Sequence, residues 1–381
     1  MVDLPRIPRI LNKEIVLLVG LSLATFGVFV FTRHIAARER VLEEKIAAAW
    51  FDRGMQFMQA GDTDKAIQAF HKATADVEDN QKYVLALANA LAAENKYAEA
   101  EQSLLRLREL DPEDPEVNTA LARLAAKQGS VQDALHYYQN ALYGRWSDEQ
   151  LDQRRQLRIE LVRFLIAHQQ RYLASSELFV LQNRTPHSAA AHLEIARLFV
   201  DADDPQHALQ EYKTAADLDE KNVEALTGAG EMSFHVGDYS QAQQYLRAAL
   251  EANPDSGKTR DLLTLTEMIL TEDPLLPHLT TWERRERLLA GLDLSLKRLD
   301  SCLSQTSDPK ATAKLQSLKS EATEVEPKLS AKNHPPDSDT AKAGVALIFR
   351  MQQAASGYCG VPAPQDQALL LIGRHHNGER P

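Results

Sequence analysis

From Ala47 onward the chain repeats itself every 34 residues, and that period limits the possible fold more than any other feature. The first unit, residues 47–80, sets Trp50, Gly54, Phe57, Gly61, Ala66, Phe70 and Ala73 at fixed intervals. The next unit fills the corresponding region with Val84, Ala88, Leu91, Tyr97, Ala100, Leu104 and Pro112, and the third with Leu121, Ala122, Gly129, Ala134, Tyr138 and Ala141. Gly61-Asp62 and Gly129-Ser130 read as turns between two helices, and Asp111-Pro112 closes a unit. Small residues let two antiparallel helices approach closely, while aromatic and leucine side chains fill the space between neighbouring pairs. One pair cannot bury its apolar face, so only a stack of pairs makes a continuous core.

This set of positions resembles the tetratricopeptide repeat (TPR) family over about residues 47–270. The resemblance implies an all-α fold: a right-handed TPR-like α-solenoid whose first helices line a groove. Residues 47–148 read as three TPR-like repeats, 149–155 as an insertion and 156–256 as three further repeats. In the fourth pair the expected small positions hold Arg163 and Ser175, and Phe179 takes the aromatic position. The fifth carries Ile195, Ala196, Phe199, Ala208, Tyr212 and Ala215, with Pro205 at a helix start, where its missing donor costs little. The sixth carries Gly230, Gly237, Tyr239, Ala242, Leu246, Ala249 and Pro254, and residues 257–273 read as a capping helix.

Ahead of the repeats, Ile15 to Phe31 holds neither charge nor proline. A bilayer-spanning helix needs about 17–25 apolar residues, and a cleaved signal core is shorter and ends at a small-x-small site. We therefore expect a short basic N-terminal tail (1–14), a single transmembrane helix in the lipid bilayer (15–33) and a juxtamembrane helix (34–46). Gly20 and Ala24 form a small-xxx-small pair of the kind that packs helices together in membranes. Arg6, Arg9 and Lys13 precede the span. Arg33, Arg38, Arg40 and Lys45 follow it, interleaved with Glu39, Glu43 and Glu44. A short basic tail before a large domain favours a periplasmic, or otherwise extracytoplasmic, position for that domain.

The last third loses the repeat. Residues 281–330 read as a helical hairpin: Leu289, Leu292, Leu296, Leu299 and Leu303 form one 3-4 seam, and Ala311, Leu315, Leu318, Ala322, Val325 and Leu329 another. The alternative pairing is an intermolecular coiled coil, a homodimer through the C-terminal helices. Residues 331–340 read as a polar linker, 341–373 as C-terminal helices broken at Gly357–Gln365, and 374–381 as a polar tail.

A formal net charge of -11 argues against nucleic acid as a partner. No catalytic, cofactor-binding or metal-binding motif is present. Cys302 and Cys359 have no metal-ligand spacing and read as free thiols, though they could pair. His375-His376 reads as a solvated tail, and the acidic run Asp201, Asp203, Asp204 lacks the spacing of a calcium loop and reads as a helix connection. A nucleophile–base pair of Cys359 and His375 lacks any third group. The chain is thus expected to bind rather than catalyse. From the TPR resemblance, the groove would be lined by Phe51, Met55 and Met58, then Lys82, Leu85 and Asn89, then Thr119 and Arg123, then Leu193 and Arg197, and finally Glu224, Thr227 and Glu231. The set departs from the lysine–asparagine arrangement that grips a C-terminal carboxylate in some TPR domains. The expected function is a membrane-anchored scaffold or assembly factor for a membrane-associated protein or peptide partner. The alternative is a non-catalytic subunit of a permanent membrane complex.

Overall fold

The computed structural model describes residues 9–330, 336–360 and 362–379, and among them every regular element is helical. The helices are α1 (Arg9–Gln59), α2 (Thr63–Asp76), α3 (Gln81–Ala93), α4 (Tyr97–Leu110), α5 (Pro115–Gln128), α6 (Val131–Tyr143), α7 (Leu151–Ala167), α8 (Arg171–Gln182) and α9 (Ala189–Asp201). They continue as α10 (Pro205–Leu218), α11 (Val223–His235), α12 (Tyr239–Ala252), α13 (Gly257–Glu272), α14 (Thr281–Gln305), α15 (Pro309–Ser330), α16 (Ser338–Cys359) and α17 (Pro364–His376). The chain divides into two compact units, residues 1–161 and 162–381, and the division falls inside α7. Each is a repeat-like α-solenoid of helical hairpins, and the second also carries the C-terminal helices.

The hairpins are specified at their turns. Within the repeats, six described residues take a positive φ: Gly61, Asn95, Gly129, Gln169, Asp203 and Gly237. Each follows the first helix of a pair, where the chain must reverse within a few residues. They lie 34 residues apart, except that 40 separate Gly129 from Gln169. Only three are glycine, so the turn is conserved in shape while its residue varies. The next hairpin begins at a side-chain cap. Asn80, Asp114, Ser188, Asn222 and Ser256 accept hydrogen bonds from the backbone N–H groups of Tyr83, Val117, Ala191, Ala225 and Thr259.

The longer step in the middle corrects the expected register. The loop after α6 contains a single 3-10 turn, Asp148–Gln150, closed by a capping box from Ser147 to Gln150. Residues 151–155, expected as insertion, already belong to α7. The small positions of the fourth pair are therefore Val162 and Ala174, not Arg163 and Ser175, and its large position is Leu178, not Phe179. All three are fully buried, whereas Arg163 and Phe179 reach solvent.

Unit 1 packs α1 on α2, α2 on α3, α3 on α4, and α5 on both α4 and α6. Its core runs through Phe51, Phe70, Leu87, Leu91, Leu104 and Leu121. At its start, the charged segment after the apolar stretch, expected as a helix continuing outward, does continue it, and the first repeat helix is joined on as well: α1 is one uninterrupted helix of 51 residues. Residues 1–8 of the expected basic tail lie outside the described residues, and 9–14 are helical. α1 is the one described helix long and apolar enough to cross a membrane.

Unit 2 repeats the hairpin packing through α9–α12. Then α13 lies on α12, and α17 returns from far along the chain to pack on α13. The expected two-helix pairing of α14 with α15 is joined by α16, which packs against both and against α17. Leu288, Leu292 and Leu299 of α14 and Leu315, Leu318 and Leu329 of α15 are buried with Ile348 and Met351 in one core that continues to Phe234 and Tyr239. The seam expected of a coiled coil is thus used inside the chain. Cys302 and Cys359 are not free thiols: they form a disulfide between the ends of α14 and α16, with Cα atoms 5.6 Å apart. Residues 331–335 of the expected linker lie outside the described residues, and α16 already begins at Ser338. α16 also runs through Gly357 to Cys359, where a break was expected; Val361 lies outside the described residues. Arg374, His375 and His376 form the last turn of α17, where a tail was expected, and they are solvent-exposed; 380–381 lie outside the described residues.

Candidate functional site

In unit 1 the first helices present their residues at helical spacing. Phe51, Met55 and Met58 stand on α1, Lys82, Leu85 and Asn89 on α3, and Glu116, Thr119 and Arg123 on α5. They line two adjoining hollows. One, of about 820 Å³, is bounded by Phe51, Met55, Met58, Phe70, Lys82, Leu85 and Asn89, with Asp79, Gln81 and Glu116 at its polar rim. The other, of about 520 Å³, shares Leu85, Asn89 and Glu116 and adds Thr119, Arg123, Trp146, Gln156, Leu157 and Glu160. All eight residues expected in this half of the groove therefore line one face of unit 1.

Its floor is aromatic. Phe51 is only 6% exposed; its ring centroid lies 5.7 Å from Phe70 and 5.0 Å from Tyr83. Lys82 Nζ sits 4.5 Å above the same ring. An ammonium over an aromatic face is attracted by the ring quadrupole and still holds its donors toward solvent. Lys82 makes no carboxylate ion pair among the described residues. Gly54 keeps this floor in place: a Cβ there would come within 2.5 Å of the Phe70 ring.

The Arg123 end differs. Arg123 Nε and Nη2 donate to Glu160 Oε1 and Oε2 at 2.8 and 2.7 Å, and the Tyr138 hydroxyl donates to Oε1 at 2.9 Å. Burial opposes ionisation of Glu160, but the hydrogen bonds and charge of Arg123 outweigh it and hold the carboxyl below its usual range. Burial, then the neighbouring Glu160 charge, pushes the Tyr138 phenol well up. Arg123 is thus already satisfied by its own chain.

Unit 2 places its expected residues differently. Leu193 is buried, 6% exposed. Arg197 holds Glu224 in a two-point pair, Nε–Oε1 and Nη2–Oε2 both 2.5 Å. Glu231 pairs with Lys258 Nζ at 2.7 Å, and Thr227 is half-buried between these pairs in the chain. Arg163 adds a longer contact to Glu194, 3.9 Å. Arg163 and Glu194 occupy the same repeat positions as Arg123 and Glu160, a relation hidden until the 40-residue step is recognised. Glu231 and Lys258 also border a hollow of about 560 Å³ with Phe234, Leu262, Leu265 and Met268, which Pro364 and Gln367 of α17 close at one side.

The remaining chemical groups are structural. Asp203 makes a left-handed turn and Asp204 caps α10, accepting from the His207 N–H. His376 Nε2 lies 3.0 Å from both Asp273 oxygens, and His375 stands edge-on to Tyr239 with centroids 5.6 Å apart. Burial lowers the His375 pKa and raises that of Tyr239 to about 12. Among the described residues, no group of three or more His, Cys, Asp or Glu is placed to hold a metal ion.

None of the curated proteins matches this chain in sequence. Among solved structures it is similar to YrrB, described as a TPR protein with an unusual peptide-binding site, at 18% identity over 51% of this chain and 97% of that one, TM-score 0.38. It is similar to PilF of Pseudomonas aeruginosa at 18% identity, covering 58% and 98% of the two chains, TM-score 0.38. It is also similar to PilW, a type IV pilus biogenesis factor, at 19% identity, covering 57% and 98%, TM-score 0.37. Residues 57–124, in unit 1, and 199–265, in unit 2, match the tetratricopeptide repeat family model.

Proposed function

We propose that this chain is a membrane-anchored, non-catalytic scaffold that holds a membrane-associated protein or peptide partner on the first-helix face of unit 1. The observation that carries the reading is the continuity of α1. Phe51, Met55 and Met58 ride on the same rigid helix as the apolar stretch 15–33. Twenty residues separate Phe31 from Phe51, which is about 30 Å of helix. A groove mounted in this way is held near the membrane surface, where a membrane-associated partner presents its own adjoining segments. The Met55 and Met58 side chains, unbranched and polarisable, suit an adaptable apolar contact. Lys82, with no carboxylate ion pair among the described residues, favours a partner carrying an acidic group beside its apolar residues.

The disulfide between Cys302 and Cys359 supports an extracytoplasmic position for the repeats and C-terminal helices, because such bonds persist in oxidising compartments. The span would then run from a cytoplasmic N-terminus outward.

The test is affinity capture of the full-length protein from detergent-solubilised membranes. Native protein is compared with a Met55→Glu/Lys82→Glu/Leu85→Glu variant and an Arg197→Glu/Glu231→Lys variant. Loss of stoichiometric partners from the first and retention by the second supports the unit 1 face. Retention by the first moves binding elsewhere and sinks the reading.

A further inference from the structure

Beyond the apolar stretch and before the first hairpin, α1 runs unpartnered through residues 34–46, and it is not uniformly polar there. Ile35, Leu42 and Ile46 are 41%, 60% and 42% exposed. At 100° per residue these three fall within a narrow stripe, and Glu39 and Ala49 complete a 4-3-4-3 spacing: Ile35, Glu39, Leu42, Ile46, Ala49. Such a seam calls for a second helix. Unit 1 does not supply it, since these side chains remain exposed in the folded chain.

We propose that residues 35–49 of α1 form a parallel two-stranded coiled coil with a second copy of this chain. This rests on the membrane-anchor reading, because two copies anchored in one membrane with the same topology present their α1 helices parallel and in register. The charges flanking the seam decide in favour of a second copy. With Ile35, Leu42 and Ala49 at d and Glu39 and Ile46 at a, Arg38 falls at g and Glu43 at the following e. In a parallel pair a g residue faces the partner helix's next e residue, so Arg38 meets the partner's Glu43, and two-fold symmetry makes the contact twice. The outward positions hold Arg40 at b, Val41 at c and Glu44 at f, so one apolar side chain lies off the seam. All four charged side chains are exposed, so none is committed to a core.

Glu39 is the weak layer. Two carboxylates meet at this a position, each beside the partner's Arg38. A single polar a residue fixes register and strand number at a cost in stability. The arrangement therefore encodes a reversible dimer: four apolar layers, one polar layer and one symmetric set of ion pairs.

The decisive experiment uses the full-length protein in its native membranes with single substitutions: Leu42→Cys, Ile46→Cys, Arg40→Cys and Glu44→Cys. After mild oxidation and non-reducing gel separation, Leu42→Cys and Ile46→Cys should appear mostly as dimer, and Arg40→Cys and Glu44→Cys at background. Equal cross-linking at all four positions, or none at any, overturns the seam. Alkaline extraction of the same membranes reads the anchor separately. Protein that leaves the membrane fraction refutes the anchor, and retained protein without position-dependent cross-linking refutes the dimer alone. A second measurement avoids added cysteine: mass photometry of the detergent-solubilised protein. There, Glu39→Leu should tighten the dimer roughly tenfold, Arg38→Glu should weaken it several-fold, and Arg38→Glu with Glu43→Arg should restore it. An unchanged dimer fraction across these variants also overturns the proposal.

Discussion

The first-helix faces of the two units use equivalent repeat positions for different ends. In unit 1 they carry Phe51, Met55, Lys82, Leu85 and Asn89 around an open hollow, and Lys82 has no carboxylate partner among the described residues. In unit 2 the corresponding positions carry Arg163, Arg197, Glu224 and Glu231, each tied to a neighbouring first helix. A face whose charges are already paired offers a ligand little, because any new contact must first displace an existing one. The same backbone repeat thus leaves the α1–α3 end of the unit 1 face open, while the Arg123–Glu160 end of unit 1 and the first helices of unit 2 are braced by internal pairs. Unit 2 is braced again by its C-terminal helices and a disulfide inside one extended core.

The comparison breaks most visibly at that disulfide. It closes a loop whose ends are 57 residues apart, and loop-closure entropy assigns such a cross-link about 4 kcal/mol. Cys302→Ala/Cys359→Ala should lower the stability of unit 2 by about that amount and leave unit 1 unchanged. Hydrogen exchange is the appropriate measurement, since a chain of two units need not unfold in one step and a single melting temperature would blur them. Matching loss of protection in α3 and α5 would contradict the separation.

The next perturbation acts on the open side. Gly54→Ala places a methyl group within 2.5 Å of the Phe70 ring, and Phe70 both fills the unit 1 core and lines its hollow. The ring must shift, at a cost of about 1–3 kcal/mol. Stability and partner binding should fall together. Gly230→Ala in unit 2 meets Leu246 at 2.7 Å, so it should cost a similar amount of stability without touching binding.

What could be read from sequence follows the range of the interactions concerned. Hairpins are local, so Gly54, Ala66 and Phe70 announce their pair from within one 34-residue window. The fourth pair was read one residue out of phase. Val162, Ala174 and Leu178 sit beside Arg163, Ser175 and Phe179, and only the positive φ of Gln169 places the turn that separates the two registers. That the eight residues expected in unit 1 share one face could be read because each is fixed by its own helix face. The pairing that closes Arg197 and Glu231 to a ligand could not, because it depends on which acid or base the next helix happens to bring alongside. The return of α17 to α13, and the meeting of Cys302 with Cys359, are longer-range still. Nothing in the local pattern of 364–376 specifies which surface it covers.

A stabilising change tests the turn argument. Gln169 has φ 58, a conformation that costs an L-residue about 1–2 kcal/mol and glycine almost nothing. Gln169→Gly should therefore stabilise its hairpin by about 1 kcal/mol. Gly129→Ala, at φ 78 with open space around its Cβ, should lose about as much by backbone strain alone. Opposite signs in the hydrogen-exchange stability of the two hairpins are the expected result. Equal signs would mean that the turn relaxes when its residue changes.

The smallest effect probes the ion pairs themselves. Glu160 titrates below the ordinary carboxylate value in the folded chain, so its contribution to stability is present above the unfolded value of 4.5 and is lost as pH falls through the lower folded value. The Glu160 side chain is 34% exposed and that of Arg123 57%, so solvent screens much of the pair, and a contribution below about 1 kcal/mol is expected. Arg123→Gln should remove that acid dependence from unit 1, and the coupling measured in a double-mutant cycle with Glu160→Gln should shrink as salt rises. Arg197 and Glu224 are about as exposed, 56% and 45%, and the coupling between them should shrink with salt in the same way. Lys82→Gln should show neither effect, because that cation has no carboxylate ion pair among the described residues to lose. If Lys82→Gln proved as pH-sensitive as Arg123→Gln, the open face of unit 1 would be as internally paired as the braced face of unit 2, and the distinction between them would collapse.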